Sequence, residues 1–213
     1  MHFLSESLEN YIAQNSQKEP PLLSKLTRET HLKVVQPRMI TGHYQGRVLS
    51  LLSKLIRPKT ILEIGTYTGY SALCLAEGLH PQGQLHTIDI NEELFDLQRK
   101  YFDQSGFGHQ IVQHIGDALE VIPNFETSFD LIFIDAEKKQ YDQYFEAVIK
   151  KCHSGSIILS DNVLWSGKVI EPLVKNDKAT KVLLEYNKKL ASDPRLDTVL
   201  LPIRDGLTLS RVL

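Results

Sequence analysis

Cysteine is scarce in this chain: two residues among 213, Cys74 and Cys152, with no CxxC pairing. That excludes a disulfide-stapled scaffold and a thiolate zinc site. Two reduced thiols in a cytoplasmic protein are the expectation, each placed within a helix. Long apolar runs are missing too. None approaches the roughly 20 residues that span a bilayer. The opening MHFLSESLENYIAQ has neither a basic nor a continuous apolar region, so no membrane span and no secretory signal is expected. Positive charge is in short supply. Against 26 Asp and Glu stand 24 Lys and Arg, for a net charge of −2. The lysine doublets at 138–139, 150–151 and 188–189 form no basic block, so a broad nucleic-acid or anionic-membrane surface is not indicated. The eight histidines contain no HxxxH pair, so none is assigned to a metal, and His114 reads as structural.

What is present is ordinary globular material, 42% hydrophobic and 23% charged, enough for one domain with its own core. The first 57 residues read as a helical cap broken at Pro20-Pro21 and Pro37, with Val48, Leu49, Leu51, Leu52, Leu55 and Ile56 as an apolar helical face. From there strands and helices alternate through 58–213. TILEI, LHTIDI, IVQHI, LIFID and SIILSD are expected strands, with helices at 70–79, 92–104, 138–151 and around Ala179–Leu190. The tail TVLLPIRDGLTLSRVL reads as a hairpin across an Asp205-Gly206 turn. The alternation implies a single α/β domain, a mainly parallel sheet with a C-terminal antiparallel pair.

In open α/β sheets ligands bind beyond the carboxyl ends of the strands. Here those ends gather polar and glycine chemistry: Glu63-Ile64-Gly65-Thr66-Tyr67-Thr68-Gly69, then Asp89, Gly116-Asp117-Ala118, Asp135, and Asp161-Asn162. The spacing of Gly65 and Gly69 is not the GxGxxG of a pyrophosphate-binding turn, which argues against a nicotinamide oxidoreductase. Asp89, some twenty residues past the turn, suits a ribose diol, and Glu63 suits a cationic amino-acid end. Adenosine without a pyrophosphate fits both, and S-adenosylmethionine (SAM) is such a ligand. Taken singly, Glu63 also suits a solvent-facing strand position, and Asp89 a helix cap.

The segments LEIGTYTGYSAL, HTIDIN, FIDAEKKQY, SDNVLWSGKV and the terminal RDGLTLSRVL resemble, in order and over nearly the whole chain, the metal-dependent class I O-methyltransferases. That family includes catechol and caffeoyl-CoA O-methyltransferases and their small bacterial relatives. The resemblance implies a Rossmann-like fold with a mainly parallel seven-stranded sheet, a C-terminal antiparallel hairpin and helices on both faces. It implies methyl transfer from SAM to a hydroxyl of a small aromatic vicinal diol chelated to a divalent cation.

Site roles carry over as implications of that resemblance. Asp135, Asp161 and Asn162 would hold the metal; an all-oxygen set favours Mg²⁺, with Mn²⁺ or Ca²⁺ possible. Lys138 would be the general base, while Lys139 faces solvent. Glu63, Gly65, Thr66, Gly69 and Ser71 would surround the methionine end of SAM, Asp89 the ribose, and Asp117 with Ala118 the adenine. Thr41 would come from the covering N-terminal segment, and Asp135 would touch both SAM and metal. Trp165 would form one wall for a flat acceptor, or else pack as an ordinary core tryptophan. Tyr141 and Tyr144 read as core. The glutamate that grips the acceptor in the mammalian catechol enzyme is matched here by Val199, so the acceptor is not inherited. A homodimer is expected, as is common in the family. The alternatives are the same chemistry on a tRNA hydroxyuridine, or another SAM-fold protein such as an aminopropyltransferase or a non-catalytic SAM binder.

Overall fold

Five short apolar runs become strands close to where their patterns begin and end. In the computed structural model, which describes residues 5–213, these are β1 (Thr60–Ile64), β2 (Gln84–Asp89), β3 (Ile111–Ile115), β4 (Leu131–Ile134) and β5 (Ile157–Asp161). β6 (Leu196–Leu201) and β7 (Leu207–Val212) complete the set among the described residues. The seven strands form a mixed sheet in the order β3-β2-β1-β4-β5-β7-β6. Two compact units divide the chain, one ending at Asp117 and the other running Ala118–Leu213.

The first unit begins with three helices, α1 (Glu6–Gln14), α2 (Pro21–Lys33) and α3 (His43–Ile56). Pro21 stands at the first turn of α2, where a missing N–H costs nothing. The β1–α4–β2–α5–β3 run follows, with α4 at Tyr70–Ala76 and α5 at Phe95–Gln104. Both strand pairs are parallel, and the register sets Glu63 opposite Thr87 and Asp89 opposite Ile115.

The packed face of α3 differs from the expected apolar one. Gln45, Gly46, Arg47, Leu49, Ser50 and Ser53 are buried, whereas Leu51 and Leu55 are 60% and 75% exposed. The reason is close approach to α4. A Cβ on Gly46 would lie 2.5 Å from the Tyr70 ring, so only a small residue fits. The seam is then tied by Arg47, which donates to both carboxylate oxygens of Glu77 at 3.0 and 2.8 Å.

The second unit contains α6 (Ala118–Val121), β4, α7 (Tyr141–Val148), β5, α8 (Lys178–Ser192) and the β6–β7 pair. β4 is buried at every residue, as a parallel strand covered on both faces should be. β4 and β5 are parallel, Leu131 opposite Ile157 through Ile134 opposite Ser160. β7 runs antiparallel between β5 and β6. The expected helix at 138–151 is a composite: a 3₁₀ turn at Lys138–Gln140, α7, and a second 3₁₀ turn at Ile149–Lys151. Cys152 falls just beyond it rather than inside a helix. Asp205-Gly206 is not a two-residue hairpin turn either; it closes a five-residue connection between Leu201 and Leu207. Among the described residues no helix is long and apolar enough to cross a membrane.

Candidate active site

In the first unit the turn after β1 is built by backbone that side chains resist. Gly65 and Gly69 take φ of 98° and 88°. At Gly69 a Cβ would sit 2.6 Å from the Phe102 ring, so φ and space both require glycine. Gly65 N–H donates to Ile88 O at 2.9 Å and Gly69 N–H to Thr66 O at 2.8 Å. Tyr67, at φ 48°, donates its backbone N–H to Asp89 Oδ2 at 2.6 Å. Asn91 N–H donates to Asp89 Oδ1 at 2.8 Å. Asp89 therefore clamps the glycine turn while each of its oxygens keeps a further lone pair.

Glu63 is fully buried, and the register explains how its carboxylate is held. Thr87 Oγ1 donates to Glu63 Oε2 at 2.5 Å, and the hydroxyls of Thr66 and Thr87 lie 2.5 Å apart. Because the Thr87 proton goes to the carboxylate, Thr66 is the donor in the second bond. Ser71 is buried in the first turn of α4, and Thr41 is buried just before α3. Asp117, half-buried, follows Gly116, whose N–H donates to Asp89 O at 2.9 Å. Ala118 opens α6 and is buried. Thus Glu63, Gly65, Thr66, Gly69, Asp89 and Asp117 stand at the carboxyl ends of three paired strands. Sequence reasoning missed Tyr67, Thr87 and Gln98, whose side chain donates to Tyr67 O at 2.7 Å. His114 meets His86, ring nitrogens 3.0 Å apart, in a half-buried pair on β2 and β3.

In the second unit the paired ends of β4 and β5 bring the expected metal ligands together. Ile134 lies opposite Ser160, so Asp135 and Asp161 are the next residues along two neighbouring strands, which run about 4.8 Å apart. Asp161 is 1% exposed, and its Oδ1 accepts from Asn162 N–H at 2.8 Å. Asn162 turns the chain at φ 58°, a conformation asparagine tolerates better than most residues. Lys138 Nζ donates to Asp135 Oδ1 at 2.8 Å and to the Tyr141 hydroxyl at 2.9 Å. Tyr141, fully buried, donates in turn to Asp161 O at 2.8 Å. Burial pushes the Tyr141 hydroxyl well above the ordinary phenol value, and Asp135 and Asp161 push it the same way. Lys139 is exposed, as expected of the lysine beside it.

Among the described residues no three His, Cys, Asp or Glu side chains converge as a metal cluster. The expected set has only two carboxylates, its third donor being the Asn162 amide. Trp165 begins a short helical stretch at Trp165–Ile170, in which Trp165 and Ser166 both take positive φ, 48° and 54°. Asp205 holds that turn: Ser166 N–H donates to its carboxylate and Leu164 N–H to its carbonyl. The indole N–H is buried without a hydrogen-bond partner among the described residues.

A mixed seven-stranded sheet with a glycine turn after its first strand, clamped by the acid that ends the second, is the architecture of the Rossmann-like methyltransferases. Residues 13–213 match the family model described as O-methyltransferase. The caffeoyl-CoA O-methyltransferase of Petroselinum crispum is 35% identical over an alignment covering 97% of this chain and 91% of that protein. The O-methyltransferase TomG of Streptomyces achromogenes, involved in tomaymycin synthesis and solved in complex with SAM, superposes with a TM-score of 0.90 at 29% identity, covering 98% of this chain and 99% of its own. The O-methyltransferase of Bacillus cereus, solved in complex with SAH, gives a TM-score of 0.90 at 27% identity and 97% coverage of each chain. The chain belongs to the O-methyltransferase family and is a SAM-dependent enzyme of the caffeoyl-CoA O-methyltransferase type.

Proposed function

We propose that this enzyme methylates one hydroxyl of a small aromatic vicinal diol held on a divalent cation, with Lys138 as the general base. The observation that carries the reading is the Lys138 side chain, 11% exposed and bonded to Asp135 at the end of β4, beside the strand that ends in Asp161-Asn162. Two carboxylates and a neutral amide, all offering oxygen, suit a hard cation such as Mg²⁺, Mn²⁺ or Ca²⁺. When bound, such a cation lowers the pKa of an acceptor hydroxyl and fixes its position. Lys138 Nζ takes the proton that the attacking hydroxyl gives up. Trp165 offers a flat wall for the acceptor ring. Caffeoyl-CoA, the substrate named for the plant relatives, carries an aromatic vicinal diol, which supports that acceptor class.

For SAM, the proposed roles divide among the first unit's strand ends and their neighbours. Glu63, Gly65, Thr66, Gly69 and Ser71 hold the methionine end, and the free lone pairs of Asp89 hold the ribose. Asp117 and Ala118 border the adenine, Thr41 covers the site, and Asp135 also faces the amino end. The family match spans both compact units, which supports reading the chain as one catalytic domain. The exposed Leu51 and Leu55 on α3 support a homodimer, and the two unpaired thiols support a cytoplasmic location.

The test is methyl transfer from labelled SAM to 3,4-dihydroxybenzoate and to caffeoyl-CoA, with Mg²⁺, with EDTA, and in Asp161→Ala. Loss of activity under both EDTA and the substitution is the expected result. Activity surviving both would remove the metal from the mechanism and leave the methyltransferase. Binding of SAM without turnover of either acceptor would refute the small-diol assignment and direct the search to a tRNA hydroxyuridine.

A further inference from the structure

Tyr141 is the first residue of α7 and has no exposed surface. Its ring meets Tyr186 edge-on at 5.4 Å between centroids, and the Tyr186 hydroxyl is bonded to Ser160 Oγ at 2.6 Å. For packing alone a phenylalanine would serve, since it fills the same volume and carries no polar atom to satisfy. The hydroxyl is instead fully engaged. It accepts from Lys138 Nζ at 2.9 Å and donates to Asp161 O at 2.8 Å, with Ile134 O a more distant acceptor at 3.3 Å. One phenol oxygen thereby joins the lysine to the main chain at the ends of both β4 and β5.

We infer that Tyr141 is a positioning residue for Lys138, its hydroxyl fixing the direction in which the amine meets the acceptor. The inference rests on the reading of Lys138 as general base. A lysine ends a flexible four-carbon stem, and one bond to Asp135 leaves its nitrogen free to swivel. The second bond removes that freedom. The nitrogen is tetrahedral: Cε and the bonds to Asp135 and Tyr141 take three of its corners, and a single corner is left to face the acceptor. The Asp161 carbonyl gives the hydroxyl a fixed orientation in turn, so the amine is referred to the strand that carries Asp161 and Asn162.

The test compares wild type, Tyr141→Phe, Lys138→Met and the double variant, using labelled SAM and 3,4-dihydroxybenzoate, beside crystal structures of wild type and Tyr141→Phe. Losing the second anchor should lower kcat by about 10- to 100-fold, the scale of a small misplacement of a reacting group. KM for SAM should stay within about twofold, since no new contact to SAM is removed. In the Lys138→Met background the same change should cost nothing further, because there is no amine left to position. The Lys138 nitrogen should also leave its single site in the Tyr141→Phe crystal. Equal losses in both backgrounds would assign Tyr141 to packing and overturn the inference. A fully active Lys138→Met would overturn the general-base reading itself, with Tyr141 falling alongside. If this acceptor is not turned over the two crystals decide, and if the variant does not fold the wild-type crystal decides. An unmoved lysine nitrogen in Tyr141→Phe, or a wild-type separation from the phenol oxygen beyond hydrogen-bond range, refutes the positioning role.

Discussion

Thr87→Val tests how a fully buried carboxyl group is kept in place at the carboxyl-end edge of the sheet. Valine keeps the shape, the burial and the β-branched fit to β2, and removes only the hydroxyl. The hydroxyl stands between Thr66 and Glu63, accepting from one and donating to the other at 2.5 Å each. Its loss takes one donor from the Glu63 carboxylate and strands the Thr66 hydroxyl, which is 2% exposed. Leaving a buried polar group without its hydrogen bond costs about 1–3 kcal/mol, and an extra buried methyl returns under about 1 kcal/mol. A net destabilisation of about 2 kcal/mol is expected, or about 4–8 °C in Tm for a chain of this size. If the chain also orients Glu63 toward SAM, the Kd for SAM should rise by about tenfold, equivalent to 1.4 kcal/mol. Urea unfolding and calorimetric titration with SAM measure the two effects. Thr87→Ser, which keeps the hydroxyl, should recover most of the SAM affinity. A Thr87→Val protein within about 0.5 kcal/mol of wild type, binding SAM unchanged, would refute the argument, since surface-like tolerance is incompatible with a hydroxyl that holds a buried carboxyl group.

Elsewhere in the fold, Glu77→Gln should cost about 2–3 kcal/mol at neutral pH by stranding the buried Arg47 guanidinium, a figure reduced from the fully buried range because Lys54 opens the cluster to solvent. Burial alone would raise the Glu77 carboxyl, but hydrogen bonds from Arg47, Lys54 and Ser50 outweigh it and hold the group at about 2. Its folded value therefore lies below the ordinary one. The stabilisation is present above about pH 4.5 and is lost as pH falls toward 2. Urea midpoints across that window should fall less steeply in the Gln variant than in wild type. Gly206→Ala should destabilise by about 1–3 kcal/mol. Gly206 has φ of 88°, and an added Cβ would lie 2.5 Å from Leu164 Cγ. Trp165 is the chain's one tryptophan, so its fluorescence maximum should shift as the adjoining turn moves. An unchanged emission spectrum would show that the Asp205-Gly206 segment does not shape that turn.

The strands were legible because short apolar runs ending in polar residues mark buried parallel strands, whose acidic residues gather at or near the carboxyl ends, as Glu63, Asp89 and Asp161 do. TILEI and IVQHI begin and end where their patterns do, and LIFID loses only its terminal Asp135, which lies just past the end of β4. The helices were less legible. The apolar stripe of α3 pointed to a face that Leu51 and Leu55 leave exposed, because the seam with α4 is set by the space at Gly46 and the Arg47–Glu77 bridge. Periodicity counts apolar residues and does not see a close approach that only small ones permit. The Asp-Gly pair carried a real turn signal, but the turn it makes holds Leu164 and Ser166 rather than joining two strands directly.

The site shows the same division, and for a physical reason. Glu63, Asp89, Asp135, Asp161 and Asn162, the residues proposed for the site, stand out because acids and amides near strand ends are anomalous within an apolar pattern. Thr87 and Tyr141 do not, because each sits in an apolar stripe and has the size of what the stripe demands. What distinguishes each from its apolar isostere is one oxygen, whose partner lies 24 residues away in one case and 20 in the other. Only strand register and the turn into α7 decide whether that oxygen finds a partner. Once placed, it has no neutral option: a buried hydroxyl without partners destabilises the fold. A tyrosine with no exposed surface that bonds a lysine on one side and a strand end on the other is therefore better explained by what its oxygen holds than by what its ring fills.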